Sequence, residues 1–290
     1  MRKESMLKRI RQEFPKLKWE KHRYITSGWD HHVVVLDEKI IFRTPKRPDS
    51  DPSEELLNEI GLLHYLKDKV KINIPHYQYI SATGTLAGYK MLDGKELDKK
   101  LFKRLKPVEK AAAVEQYARF ITSLHSVPKS VVGRYNVRIE NECRLQTELV
   151  RKVRKKIFPR MHAKHIGLIE QYLQDLTTSI GWIRSRTLVH NDLTGEHILW
   201  DGKRRQVNII DFSDRCYGDP AADFAGIMEY GKEFVKKVYA LYGCRKDEGL
   251  LHRAELYYKR ISLYMMIDSL EGFPCTFKQG YEMFEERFGI

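Results

Sequence analysis

The sequence predicts an α+β protein with two lobes: a small N-terminal lobe rich in strands, and a larger, mainly helical C-terminal lobe. Residues from Tyr24 to Arg43 alternate between apolar and polar side chains, as paired strands do. After Pro107, apolar residues recur at helical spacing. A short apolar hairpin from Ile198 to Ile210 interrupts those helices, and carboxylates and histidines flank it.

Composition restricts the class of protein. The 290 residues can bury a large core, and no uninterrupted apolar stretch approaches membrane length. No signal peptide is evident at the start of the sequence. The four cysteines are scattered without a CxxC pair, which suits a reduced cytosol better than a disulfide framework or a zinc site. We therefore expect a cytoplasmic, monomeric enzyme that has no membrane partner.

The net charge of +13 raises the alternative of a polyanion partner. Basic residues collect at 151–156 and 203–205. Such runs can attract nucleic acid, but no recognised nucleic-acid motif accompanies them. A solvated helix face and a charged turn are the favoured interpretation, so nucleic acid is not an expected partner.

The N-terminal elements follow in order. Residues 1–18 have apolar side chains at helical spacing, and residues 24–43 are predicted to form paired strands around a turn at 37–39. A second helix is predicted to begin near Asp51, where acidic residues favour the positive end of the helix dipole. A loop and further strands are expected from Ile74 onwards.

The rest of the chain predicts a series of helices. Pro107 is well suited to a first helical position, and an apolar stripe follows it. Further helices are predicted over residues 138–158, 166–183 and 247–270. We divide the chain into an N-lobe of residues 1–92 and a C-lobe of residues 93–290.

The most informative segment runs from His190 to Asp211. Asp192 follows His190, His197 comes five residues after Asp192, and Asp211 ends a short apolar strand. A turn at Asp201–Gly202, where glycine tolerates a positive φ, returns the chain so that Asp211 approaches His197. This layout suits phosphoryl transfer, because one carboxylate can deprotonate a hydroxyl while the other helps to hold magnesium. An ordinary hairpin with polar ends is the alternative, but the combined spacing favours the catalytic interpretation.

At these residues the chain resembles the aminoglycoside phosphotransferase branch of the protein-kinase-like fold, and is most similar to the 2''-phosphotransferases. The branch pattern HNDxxxxHIL matches residues 190–199. A later DF-x-D and GDP-x-x-DF match residues 211–214 and 218–224. The resemblance covers most of the chain and is weaker over 129–180 and after 245.

The resemblance implies a small mixed β-sheet N-lobe and a mainly helical C-lobe. It implies that Asp192 is the catalytic base and that His197 and Asp211 bind Mg²⁺. Three further residues are expected to support this loop: His190, Asp219 and Asp223.

The N-lobe is expected to bind ATP or GTP as the phosphate donor. Arg43 stands where the family usually has Lys, which leaves open whether Arg43 or Lys46 approaches the phosphates. Glu59 is the expected partner of Arg43. Ser27 and Gly28 fall where a kinase places its phosphate-covering loop, and Met91 and Leu92 fall at the hinge that contacts the purine base. The alternatives are surface charges, a simple turn and ordinary core residues.

The acceptor is expected to be a small molecule with a hydroxyl group, and an aminoglycoside is the first candidate. Asp214, Glu229 and Glu233 could pair with its ammonium groups, and the spacing of the two glutamates suggests one face of one helix. Another antibiotic or metabolite, such as a macrolide, choline or a sugar, is the alternative. The rivals from other classes are a non-catalytic nucleotide-binding module and a nucleic-acid-binding protein.

Overall fold

The computed structural model of the protein describes residues 3–25, 31–46 and 52–290. Within these ranges the N-terminal part contains two helices and five strands. In chain order these elements are α1 (Lys3–Glu13), β1 (His22–Ile25), β2 (His31–Leu36), β3 (Ile40–Pro45), α2 (Pro52–Leu66), β4 (Tyr77–Ile80) and β5 (Ala87–Lys90).

The five strands form one sheet in the order β1-β2-β3-β5-β4. Every pairing in this sheet is antiparallel, so it is not the mixed sheet that we expected. β1 pairs with β2, a short hairpin joins β2 to β3, and after α2 the strands β4 and β5 form another hairpin. Helix α1 covers this sheet through Met6 and Ile10, which pack with Phe42. It ends at Glu13 rather than at residue 18, because Pro15 cannot continue a helix.

Helix α2 packs against the sheet and belongs to the main hydrophobic core. Leu62, Leu63 and Leu66 are fully buried in a cluster that includes Tyr77 and Tyr89 of the sheet. The same cluster continues into the C-terminal part of the chain. Packing therefore fixes the position of α2 relative to both β3 and the helices below it.

The C-terminal part is mainly helical, with short strands between the helices. Its elements are β6 (Lys95–Glu96), α3 (Lys99–Arg104), α4 (Pro107–His125), α5 (Lys129–Arg134), α6 (Glu142–Lys152), α7 (Ala163–Ile180), β7 (Thr187–Val189), β8 (Ile198–Asp201), β9 (Gln206–Ile209), β10 (Cys216–Gly218), α8 (Ala221–Ala225), α9 (Lys232–Leu241), α10 (Leu250–Leu270) and α11 (Phe277–Phe288). The predicted lobe boundary at residue 92 falls in the segment between β5 and β6.

The helix predicted over residues 138–158 is shorter and less regular than expected. Ile139 bridges to Tyr217, and the Asn141 side chain then caps the start of α6 by accepting a hydrogen bond from the Arg144 N–H. Beyond α6 the chain continues as a π-helical turn, Val153–Ile157, and a 3₁₀ turn.

A hairpin of β8 and β9 connects the two parts of the molecule. Asn73, in the N-terminal part, bridges to Asn208 of β9, and the Asn208 side chain donates to the Asp93 carbonyl at 2.7 Å. In the hairpin turn the Asp201 carboxylate accepts backbone N–H groups. The sequence suggested a positive φ at Gly202, but the positive φ, 52°, occurs at Arg205. None of the described helices has the length and apolar character needed to cross a membrane.

Candidate active site

The loop between β7 and β8 holds Asp192 in a fixed conformation. The fully buried Asp223 carboxylate, on α8, accepts the backbone N–H groups of His190 at 3.0 Å and Asn191 at 2.8 Å. Asn191 has a φ of 71°, a left-handed conformation that needs such support. His125 of α4 lies 3.0 Å from the same carboxylate. The Asp223 carboxylate on α8 therefore anchors the loop that carries Asp192.

His190 has the structural role that we expected. Its Nε2 lies 3.0 Å from the Ile210 carbonyl oxygen and donates to it, while Nδ1 accepts the Asp192 backbone N–H at 3.3 Å. Burial lowers the pKa of His190, which keeps the ring neutral and leaves Nδ1 free to accept. His190 thus ties the loop to the strand that leads to Asp211.

Asp192, His197 and Asp211 meet at one place. Nδ1 of His197 lies 2.8 Å from the backbone carbonyl oxygen of Asp192 and 3.1 Å from Oδ2 of the Asp192 side chain. On the other side of the ring, Nε2 lies 3.9 Å from Oδ2 of Asp211. The Asp192 side chain remains 37% exposed, so a ligand can reach it. The geometry brings together the three residues that the sequence singled out.

Asp211 is held in an unusual conformation. Its φ is 60°, and its Oδ1 accepts from both the backbone N–H and the hydroxyl of Ser213, at 3.2 and 2.6 Å. Arg43 Nη1 lies 3.7 Å from the same oxygen. Burial favours protonation, but the charges of Arg43 and His197 and the Ser213 hydrogen bond hold the pKa of Asp211 well below its usual range. Asp211 is therefore a carboxylate, the form that a metal ligand needs.

The side chains of His197 and Asp211 fit a magnesium ion that takes its remaining ligands from phosphates and water. When the His197 ring is neutral and its Nδ1 donates to the Asp192 carbonyl, Nε2 presents a lone pair toward Asp211. Within the described residues there is no cluster of three or more metal-ligating side chains. Two protein ligands are nevertheless typical of Mg²⁺ sites that include a nucleotide.

Burial opposes a charged ring at His197, but the hydrogen bond and charge of Asp192, together with Asp211, raise its pKa to about 9. A metal at Nε2 would have to displace that proton. Imidazole is also a softer ligand than Mg²⁺ prefers, so Asp211 supplies most of the attraction.

Arg43 of β3 and Glu59 of α2 form the expected ion pair. Nη1 and Nη2 of Arg43 donate to the two carboxylate oxygens of Glu59, each at 3.2 Å, and both side chains are buried. The Tyr77 hydroxyl donates to Glu59 at 3.1 Å. Nη2 of Arg43 also donates to the Ser213 hydroxyl at 2.8 Å and lies 3.0 Å from Nε2 of His31. The guanidinium is thus committed to several partners at once.

The remaining predicted nucleotide contacts are less informative. Met91 and Leu92 follow β5 and are half-buried, and the Met91 N–H donates to the Lys39 carbonyl at 2.7 Å. The Met91 N–H is therefore already hydrogen-bonded within the protein. Ser27 and Gly28 lie outside the described residues.

The predicted acceptor-binding acids Glu229 and Glu233 lie in different helical segments. Glu229 lies in a 3₁₀ turn and Glu233 in α9, separated by Gly231 with a φ of 97°, so the expectation that both occupy one helix face is wrong. Glu229 accepts the Gly195 N–H at 2.6 Å, and burial raises its pKa. Glu233 is 78% exposed and pairs with Lys236, and Asp214 is exposed.

Asp219 also differs from the expectation. It accepts from Arg253 of α10 at 2.6 Å and from the Tyr257 hydroxyl at 2.8 Å, and so it anchors α10 to the start of α8. Asp223, rather than Asp219, supports the catalytic loop. Ser213 and His31, which both contact Arg43, were not predicted as site residues. The position of Ser213 in the DF-x-D pattern was a usable signal, whereas His31 gave none.

Comparisons with known proteins identify the family and the fold. A family model described as "Phosphotransferase enzyme family" matches residues 21–257. The viomycin phosphotransferase of Streptomyces vinaceus is 41% identical over 70 residues, a match that spans 23% of this chain and 24% of that protein. The matched region is therefore only about a quarter of that relative's length.

Solved structures with a similar fold match over nearly the whole chain. The GDP and kanamycin complex of APH(2")-IIia has a TM-score of 0.88 at 24% identity and covers 99% of both chains. The GDP complex of wild-type aminoglycoside 2'-phosphotransferase-IIIa has a TM-score of 0.89 at 24% identity, covering 100% of this chain and 99% of that one. Macrolide 2'-phosphotransferase type I has a TM-score of 0.72 at 20% identity, covering 99% of this chain and 95% of that one. The fold is therefore that of kinase-like small-molecule phosphotransferases.

Proposed function

This chain belongs to the phosphotransferase enzyme family, and on that premise we propose that it transfers the terminal phosphoryl group of ATP or GTP to a hydroxyl of a small molecule. One observation carries the proposal. Asp192, His197 and Asp211 converge beside the buried Arg43–Glu59 pair, as a phosphoryl-transfer site requires.

In the proposed reaction Asp192 orients the acceptor hydroxyl and accepts its proton. Nδ1 of His197 contacts Asp192 and restrains its carboxylate, which remains exposed enough for a ligand to reach. Asp211 and His197 would hold Mg²⁺, which neutralises charge on the phosphates when it is bound. General-base groups of this kind contribute about 10²–10⁴-fold to rate.

An aminoglycoside is the acceptor class that we propose to test first. The support is the kanamycin complex of a protein with the same fold, whereas the partial match to viomycin phosphotransferase supports phosphoryl transfer without indicating this acceptor. Glu229 adjoins the catalytic loop and could attract an ammonium group. The net charge of +13 opposes a polycation unless the acids dominate locally. A macrolide is the second candidate, because a macrolide phosphotransferase shares the fold.

The basic run at residues 151–156 gives little support to a nucleic-acid partner. Lys152 and Lys156 both pair with Glu271, and Arg154 pairs with Glu170. Much of the charge is therefore neutralised within the chain. A cytosolic monomer, with access to nucleotide and magnesium, remains the state that we propose.

The test is a transfer assay with ATP and with GTP against aminoglycosides, macrolides, choline and sugars, with the phosphorylated product identified by mass spectrometry. We expect magnesium-dependent formation of nucleoside diphosphate and one phosphorylated acceptor. Asp211→Asn should abolish the magnesium dependence of nucleotide binding, and His197→Ala should only weaken it, because His197 contributes no negative charge. Glu115→Gln, at an exposed carboxylate on α4, is the matched control. Nucleotide binding that never depends on magnesium would contradict the proposal.

A further inference from the structure

The Ser213 hydroxyl connects the N-terminal lobe to Asp211. Arg43 Nη2 donates to Ser213 Oγ at 2.8 Å, and Ser213 Oγ donates to Asp211 Oδ1 at 2.6 Å. The direction of both bonds is fixed by chemistry. A guanidinium can only donate, so it occupies a lone pair of the hydroxyl, and the single hydroxyl hydrogen is left for the carboxylate.

Because Ser213 donates to only one oxygen of Asp211, the two carboxylate oxygens have different roles. Oδ1 is held by Ser213, through both its hydroxyl and its backbone N–H, with Arg43 nearby. Oδ2 is turned toward Nε2 of His197, where the proposed metal would bind. Holding Oδ1 therefore sets the direction of Oδ2. The support matters because the backbone of Asp211 has a φ of 60°, which a residue other than glycine rarely adopts.

Arg43, which binds Ser213, is itself held by Glu59 of α2. Both terminal nitrogens of Arg43 bind the carboxylate of Glu59, so the guanidinium can hold Ser213 only while α2 is packed against β3. A movement of α2 would shift Arg43, remove its hydrogen bond to the Ser213 hydroxyl, and so weaken the hold of that hydroxyl on Oδ1 of Asp211. Three hydrogen-bonded steps thus join the helix to the metal-facing carboxylate.

We propose that Ser213 is a positioning residue, which makes metal binding at Asp211 depend on the packing of α2 through Arg43. The inference rests on the proposed function, because it assumes that Asp211 binds the metal. It adds a positioning residue, and a route by which movement of α2 controls the site.

The test compares Ser213→Thr with Ser213→Val. A polar cavity of about 240 Å³ opens on Ser213, so in an alanine variant water could replace the lost hydroxyl. Valine has nearly the shape of threonine but lacks the hydroxyl, and it fills the space. Nucleotide binding is measured by calorimetry with magnesium, and again with a chelator. Ser126→Ala, which removes an exposed hydroxyl that donates within α4, is the control.

We expect Ser213→Val to weaken magnesium-dependent nucleotide binding about tenfold, or about 1.4 kcal/mol. Binding in chelator should change less than about twofold, and Ser213→Thr should restore the wild-type magnesium dependence, since a hydrogen bond to a charged group is lost only in the valine variant. Equal magnesium dependence in Ser213→Val and wild type would overturn the proposal. An equal loss with chelator present would also overturn it, because the role would then be general to the fold.

A double-variant cycle tests the connection to α2. Glu59→Gln should weaken magnesium-dependent binding in wild type but have much less effect in Ser213→Val, where the connection is already broken. Additive effects would refute a path through Ser213. The proposed function fails separately: if Asp211→Asn keeps the magnesium dependence of wild type, the metal assignment itself is wrong. If Asp211→Asn loses it while Ser213→Val keeps it, only the present inference fails.

Discussion

Replacing Asp223 by Asn should slow phosphoryl transfer without changing any group that touches the substrates. The carboxylate accepts the N–H groups of His190 and Asn191 and lies 3.0 Å from Nε2 of His125. Asparagine keeps one oxygen but turns an NH₂ group toward at least one of these donors. The loop carrying Asp192 then loses part of its anchor.

The size of the effect follows from the count of donors. A buried donor left without an acceptor costs about 1–3 kcal/mol, and the surviving bonds lose the benefit of a charged acceptor. We therefore expect the free energy of unfolding to fall by about 2–4 kcal/mol. If about 1.4–2.7 kcal/mol of that appears as misplacement of Asp192, kcat falls about 10- to 100-fold.

Asp219→Asn is the matched control. Asp219 is equally buried and on the same segment, but it bonds Arg253 and Tyr257 rather than the catalytic loop. The free energy of unfolding of each variant is measured by denaturant titration. Its kcat is then measured under conditions in which that titration shows the variant to be fully folded. Asp219→Asn should lose stability while kcat stays within about threefold of wild type, a change of less than 1 kcal/mol. A folded Asp223→Asn with wild-type kcat, or an equal loss of kcat in both variants, would refute the reasoning.

Three further changes probe other parts of the site. A Cβ on Gly226 would lie 1.9 Å from the Leu193 carbonyl oxygen, so Gly226→Ala should displace the loop and lower kcat about 10²-fold; unchanged kcat and melting temperature would contradict this. Burial, reinforced by a nearby cation, lowers the pKa of His31 to about 3, so the folded protein excludes a proton that the unfolded chain binds below about pH 6.5. Stability should therefore fall as the pH decreases from about 6.5, by up to about 1.4 kcal/mol per pH unit, and His31→Gln should show a shallower fall in denaturant titrations; equal slopes would disprove it. With an aminoglycoside acceptor, Glu233→Gln should raise KM alone. Glu229→Gln should raise KM and also lower kcat about fivefold, because the hydrogen bond from the Gly195 N–H would lose its charged acceptor. Equal effects of the two variants on kcat would contradict this distinction between Glu229 and Glu233.

The residues of the site that are close in sequence were predictable from local rules. Asp192 and His197 share one loop, and a short hairpin brings Asp211 back beside them. The pairing of Arg43 with Glu59 depended on the family resemblance, because a strand and a helix must pack before the two residues meet. The reaction class therefore followed from the sequence, and so did the proximity of Asp192, His197 and Asp211.

What the sequence could not supply was backbone geometry at single residues. Helical spacing placed Glu229 and Glu233 on one face, but Gly231 adopts a positive φ that divides the segment into two helices. The hairpin turn puts its positive φ at Arg205 instead of at the glycine, because the Asp201 side chain organises the turn. Neither feature has a signal in hydrophobic periodicity.

The central claim is that Asp192 acts on the acceptor hydroxyl and not on the nucleotide. The most direct measurement is single-turnover phosphoryl transfer by Asp192→Asn, with nucleotide affinity determined on the same sample by calorimetry. We predict a rate lower by at least about 10²-fold, with magnesium-nucleotide affinity within about threefold of wild type. A transfer rate within threefold of wild type would contradict the assignment of Asp192 as the catalytic base.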